Sequence, residues 1–180
     1  MARTALFTEL DGVLIAPIPT ADAAITLLPG IGAALARLHQ RAVPVVVVTD
    51  QPRIGRGELT EATVASWRTR LTLLIHDAGG ELAGWYHCPH DVSHPWRKPR
   101  PGMLLTAARE LAIDLPTSWL IGTDADDARA AGQAGCAGAV LIGGAAAPSD
   151  DLGIVVATAR DLADAPRVMI PRQGGCRHQV

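Results

Sequence analysis

Glu9-Leu10-Asp11-Gly12 sets two carboxylates one residue apart, directly after a short apolar run at residues 4–7. At a strand terminus that spacing sends both side chains toward the same mouth, and the glycine beside them lets backbone approach a ligand. Alone, the same residues also fit a solvated turn, for which Asp-Gly is a common signal. A second apolar run, 45–48, ends in Thr49-Asp50-Gln51 and continues to Ile54-Gly55-Arg56-Gly57. A hydroxyl and backbone N–H groups at a helix entry suit an anion, although plain helix capping would use them equally well. Arg97-Lys98-Pro99-Arg100-Pro101-Gly102 brings three cations onto a proline-stiffened turn, and Thr123-Asp124-Ala125-Asp126-Asp127 adds a second acidic cluster. An acidic pair, a hydroxyl, a lysine and further carboxylates are the parts needed to handle a phosphate with a metal ion.

These residues can meet only if the elements between them bring them together. The continuous β-branched run Val45-Val46-Val47-Val48 has the composition of a strand buried on both faces of a parallel sheet. Apolar periodicity predicts further strands at 4–7, 82–86, 119–122, 139–142 and 154–156, and helices at 30–41, 58–78, 102–112 and 125–134. Strand alternates with helix throughout. That order predicts an α/β fold: a doubly wound, Rossmann-like parallel sheet with helices on both faces, and ligands at the carboxyl ends of the strands. Residues 16–29 and 88–101 read as irregular. One domain is expected over 1–170, followed by a flexible tail at 171–180.

Composition narrows the partners. Sixteen Lys+Arg against 18 Asp+Glu leave a net charge of -2, so no basic field draws the chain to nucleic acid. Aromatic residues make up 3%, too few for base-stacking platforms. No apolar run reaches the roughly 18 residues that span a bilayer, and the first residues lack a secretory pattern. A cytoplasmic protein with a small-molecule substrate, without a nucleic-acid or membrane partner, is expected; the sequence leaves the oligomeric state open. Cys88, Cys136 and Cys176 are odd in number and widely spaced, so reduced thiols are expected, with Cys136 in the core.

In order and wording the motifs resemble those of the haloacid dehalogenase (HAD) superfamily, in the branch that lacks a large cap and contains D,D-heptose 1,7-bisphosphate and histidinol-phosphate phosphatases. Members of that branch read D-x-D-G-T/V, T-N-Q-S-G-I-G-R-G, C-R-K-P-x-P-G-M and G-D-x-x-x-D. This chain reads Glu9-Leu10-Asp11-Gly12-Val13, Thr49-Asp50-Gln51-Pro52-Arg53-Ile54-Gly55-Arg56-Gly57, Trp96-Arg97-Lys98-Pro99-Arg100-Pro101-Gly102-Met103 and Gly122-Thr123-Asp124-Ala125-Asp126-Asp127. The resemblance implies a HAD-like fold. It places Glu9 where the family's nucleophilic, Mg²⁺-binding Asp stands, makes Asp11 the general acid/base, and makes Thr49 and Lys98 the phosphate contacts. Gln51, Arg56, Arg97 and Arg100 fall on the substrate side, and Asp127 matches a retained acid.

The departures fall on the chemistry. Glu9 is one methylene longer than Asp, and Thr123 replaces a metal-binding carboxylate, so Mg²⁺ held by Glu9 and Asp127 is expected to be weak. The family's zinc loop survives as Cys88, His90 and His94, with Trp96 at a ligand position. Zinc there would need a further ligand. Asp11 beside Glu9 is expected to have a like charge close by, which raises one pKa of the pair. Three functions follow: an enzyme on a small phosphorylated or anionic metabolite with Asp11 as acid/base; a phosphomonoester hydrolase of the family type using Glu9; or a non-catalytic descendant that binds a metabolite or a protein.

Overall fold

The computed structural model of the chain describes residues 2–18, 20, 23–91 and 94–165; the tail expected at 171–180, with Cys176, lies outside the described residues. Six strands form one all-parallel sheet: β1 (Leu6–Thr8), β2 (Val45–Asp50), β3 (Gly84–Cys88), β4 (Trp119–Gly122), β5 (Gly138–Leu141) and β6 (Val155–Thr158). Their spatial order is β3-β2-β1-β4-β5-β6. The order reverses direction at β1, so β1 and β4 are neighbours although far apart in the chain, and the crevice at such a switch point is where open α/β sheets bind ligands.

Alternation along the strands builds two cores. Leu6, Val45, Val47, Trp119, Ile121 and Val140 face one side, where they meet Ile31, Leu35, Val64, Trp67, Leu71 and Ile75. Those partners come from α1 (Ile31–Gln40) and α3 (Glu61–Asp77). Phe7, Val46, Val48, Leu120, Ala139 and Leu141 face the other side, against Met103, Leu104, Ala107, Ala128 and Ala131 of α4 (Gly102–Leu111) and α5 (Ala125–Ala134). Both faces are therefore covered, and the second core is filled largely by alanine, which lets α5 approach the sheet closely.

β4 and α5 fall on the expected bounds, and the other elements differ from the sequence reading by one to three residues. The first strand is shifted to Leu6–Thr8, and the third to Gly84–Cys88, where it pairs in register with Val46–Asp50. The long helix starts at Glu61 because the Thr60 hydroxyl accepts from the Thr63 N–H, which caps it there. One further turn of helix, α2 (Pro52–Gly55), follows β2, with proline at its start. A 3₁₀ turn at Leu115–Thr117 precedes β4.

Candidate active site

Glu9 follows β1 and is buried, as are Thr49 and Gln51 after β2, Lys98 before α4, and Asp127 in the first turn of α5. Five sequence-predicted residues thus share the carboxyl edge of the sheet with half-buried Asp11. They form one connected chain. Gln51 Nε2 donates to Asp11 Oδ2 at 3.0 Å and to Thr49 Oγ1 at 3.2 Å. The Thr49 hydroxyl donates to Glu9, and the Lys98 ammonium bridges Glu9 Oε2 and Asp127 Oδ1.

Local folding places each group. Asp127 is held by the α5 cap: its Oδ2 accepts from the Thr123 and Asp124 N–H groups, while Asp124 Oδ1 accepts from the Asp126 and Asp127 N–H groups. That reciprocal capping box fixes the carboxylate against the sheet. Gly122 makes room for it, since a side chain there would fall on the Asp127 carboxylate. The Lys98 loop folds on itself through Arg97 N–H to His94 O, Arg100 N–H to Arg97 O and Gly102 N–H to Pro95 O.

Two carboxylates facing one ammonium in a dry pocket leave an excess negative charge. Burial, reinforced by Asp127, pushes the Glu9 carboxyl up to about 7 against the pull of Lys98. Asp127 and Glu9 in turn hold the Lys98 ammonium well above its ordinary range, against the opposing effect of burial. Asp11 is raised by burial, with Gln51, the Ile18 backbone N–H, Arg53 and Lys98 acting the other way. The like-charge partner expected for Glu9 is therefore corrected: it is Asp127 across the ammonium, while Asp11 is raised by desolvation.

The arginines stand apart from this network. Arg56 is captured on the surface by Glu58 two residues later, Arg97 donates to the His90 carbonyl at 2.9 Å, and Arg100 is exposed. Sequence reasoning missed Arg53, whose charge acts on Asp11 and whose guanidinium donates to the Ile18 carbonyl at 2.7 Å; it also missed Asp50. A run of -Gln-Pro-Arg- entering a helix beside the acidic pair was the available signal for the first.

Metal fits poorly here. Mg²⁺ needs near-octahedral oxygen donors, yet Asp127 Oδ1 serves Lys98 and its Oδ2 serves two backbone N–H groups, Glu9 Oε1 accepts from Leu10 N–H at 2.8 Å and its Oε2 serves Lys98. The Thr123 methyl turns toward Gly12, whose Cβ would lie 3.0 Å from it. Asp11 Oδ1 is buried without a partner among the described residues, and one such atom does not make a site. The zinc expectation finds no support among the described residues. Cys88 is buried in β3, the His90 and His94 rings lie against each other at 4.1 Å, His94 Nδ1 accepts from Trp96 N–H, and among the described residues no three His, Cys, Asp or Glu side chains converge as a metal site.

A family described as HAD-hydrolase-like matches residues 95–165. The D-glycero-β-D-manno-heptose-1,7-bisphosphate 7-phosphatase of Mesorhizobium japonicum is 34% identical over 154 residues, covering 79% of this chain and 71% of that protein. The chain belongs to the HAD superfamily, in the branch of the heptose bisphosphate phosphatases. Its counterpart from Vibrio cholerae is 32% identical, over 79% of this chain and 82% of its own length. The crystal structure of D,D-heptose 1,7-bisphosphate phosphatase from B. bronchiseptica, complexed with magnesium and phosphate, superposes with a TM-score of 0.79 at 28% identity, covering 92% of this chain and 97% of that one. Among the described residues of this HAD chain, no helix is long and apolar enough to cross a membrane.

Proposed function

We propose that this protein is a HAD-type phosphomonoester hydrolase acting on a small phosphorylated metabolite, with Glu9 in the nucleophile's place and Asp11 as general acid/base. The observation that carries the reading is the unbroken chain Asp11–Gln51–Thr49–Glu9–Lys98–Asp127. The relatives' names point to a phosphorylated sugar as the substrate class.

Lys98 has three N–H donors, of which Glu9 and Asp127 take two, so the third is available to a phosphoryl oxygen; the Thr49 hydroxyl joins it by turning its single proton from Glu9 to the phosphate. An ionised Glu9 oxygen forms a bond to phosphorus as the ester P–O bond breaks, and protonated Asp11 gives its proton to the departing oxygen. Water then attacks the acyl phosphate while the Asp11 carboxylate takes a proton from it, which releases inorganic phosphate and restores Glu9. Because the donors for Mg²⁺ are already engaged, none of these steps is routed through it, and Mg²⁺ binds this site no tighter than about millimolar.

The test is release of inorganic phosphate from sugar mono- and bisphosphates and histidinol phosphate, with Mg²⁺ and with chelator. Release that disappears in Glu9→Gln is expected; absence of release from every substrate overturns the hydrolase. A second reading, a phosphate-binding protein without turnover, is favoured by the double engagement of the Glu9 carboxylate, and phosphate binding without release would select it.

A further inference from the structure

Lysine occurs once in the whole chain, at Lys98, whereas every other cation of this type is arginine. The single ammonium stands where two carboxylates converge, 6% exposed. A guanidinium is planar and longer, while an ammonium is a compact point charge with donors on three sides, so the position of its root along the backbone decides whether Nζ reaches both acids.

Asp50 is the residue that touches this root. It closes β2, opposite Cys88 of β3, and strand alternation puts it on the face of Val46 and Val48, which pack with Cys88 and Met103 beneath the Lys98 loop. Its carboxylate faces the Lys98 backbone N–H, and it lies in the field of Lys98, Arg97 and Asp127. Its other oxygen, Oδ1, is buried and has no partner among the described residues. A carboxylate kept there at that cost is doing more than filling space.

We propose that Asp50 is the positioning residue for Lys98: by accepting the Lys98 backbone N–H it ties the loop to the end of β2 and sets the ammonium between Glu9 and Asp127. The proposal uses the site of the hydrolase reading, but its first readout needs no substrate.

Because the chain has one lysine, lysine labelled with ¹⁵N at the side chain gives a single ammonium resonance that reports Lys98 directly. Asp50→Asn keeps an acceptor oxygen and removes the charge; Asp50→Ala removes both. The Lys98 resonance should stay close to wild type in Asp50→Asn and move or broaden in Asp50→Ala. In an active protein, Asp50→Ala should also lower kcat at least tenfold with KM within about threefold, and Asp50→Asn should recover most of that loss. An unmoved resonance in Asp50→Ala, or equal disturbance in both variants, overturns the proposal. Should Asp50→Ala fail to fold, Asp50→Ser, whose hydroxyl falls short of the Lys98 N–H, reads the same way. If the wild type releases no phosphate, the hydrolase reading fails while the resonance still decides the role of Asp50.

Discussion

At the scale of single residues, two substitutions separate this site from the pattern it resembles, and they act together. Thr123 contributes a methyl toward Gly12 where a carboxylate would supply an oxygen, and Glu9 spends one oxygen on its own neighbour's N–H and the other on Lys98. Restoring both carboxylates of ordinary length, Glu9→Asp with Thr123→Asp, should bring Mg²⁺ affinity from millimolar or weaker to a dissociation constant at least tenfold lower by titration calorimetry; either change alone should do less, because each leaves one donor missing. Asp11 differs in kind, since its Oδ1 is buried and has no partner among the described residues, and the proposed reading gives it the task of moving a proton. Asp11→Asn keeps the size and the contact with Gln51 after an amide flip, so kcat should fall by about 10² to 10⁴ while the affinity for inorganic phosphate changes less than about threefold. Loss of affinity with kcat retained would make Asp11 a binding group.

At the scale of elements, packing between β3, Trp96 and α4 fastens the loop before α4. Trp96 meets Tyr86 of β3 edge-on at 6.2 Å, the Tyr86 hydroxyl donates to Glu110 of α4 at 2.7 Å, and Gly102 closes against the Trp96 ring. The ring thus fastens the segment that carries Lys98. Trp96→Ala should cost roughly 1–3 kcal/mol in denaturant unfolding, below a fully buried tryptophan because Trp96 is only partly buried, and added zinc should not restore it. Element order and the two-faced sheet were legible in the sequence, because a run such as Val45–Val48 and the alternation of periods are local signals. The convergence of Glu9, Thr49, Lys98 and Asp127 was legible from motif order. Other features lay beyond it: the saturation of Asp127 depends on how Asp124 caps α5, and the start of β3 at Gly84 depends on register with β2. Each is set by geometry between elements rather than by spacing along the chain.

At the scale of the whole molecule, the site is stored charge that the fold must carry. Burial raises the carboxyls of Glu9, Asp11 and Asp50 above their ordinary values, so for each the folded state binds its proton more tightly than the unfolded state. A raised carboxyl contributes stability that is fully present below the unfolded pKa and is lost as pH climbs through the folded one. For Glu9 that window runs from the ordinary carboxyl value of 4.5 up to about 7. The exposed acids Glu58 and Asp150 are lowered by Arg56 and Arg129 and act in the opposite direction, but solvent screens them. Unfolding free energy should therefore decline between about pH 5 and 7, by an amount on the order of 2 kcal/mol from Glu9. Glu9→Gln leaves Lys98 paired with Asp127 as a balanced buried couple, so this variant should lose most of that decline and be the more stable protein at pH 8 despite having one ion pair fewer. Phosphate release should follow the opposite course, rising through about pH 7 as Glu9 ionises into the form that attacks phosphorus. A wild-type stability curve flat across pH 5 to 7, or parallel to that of Glu9→Gln, would mean that Lys98 keeps Glu9 ionised throughout, and activity should then show no rise near 7.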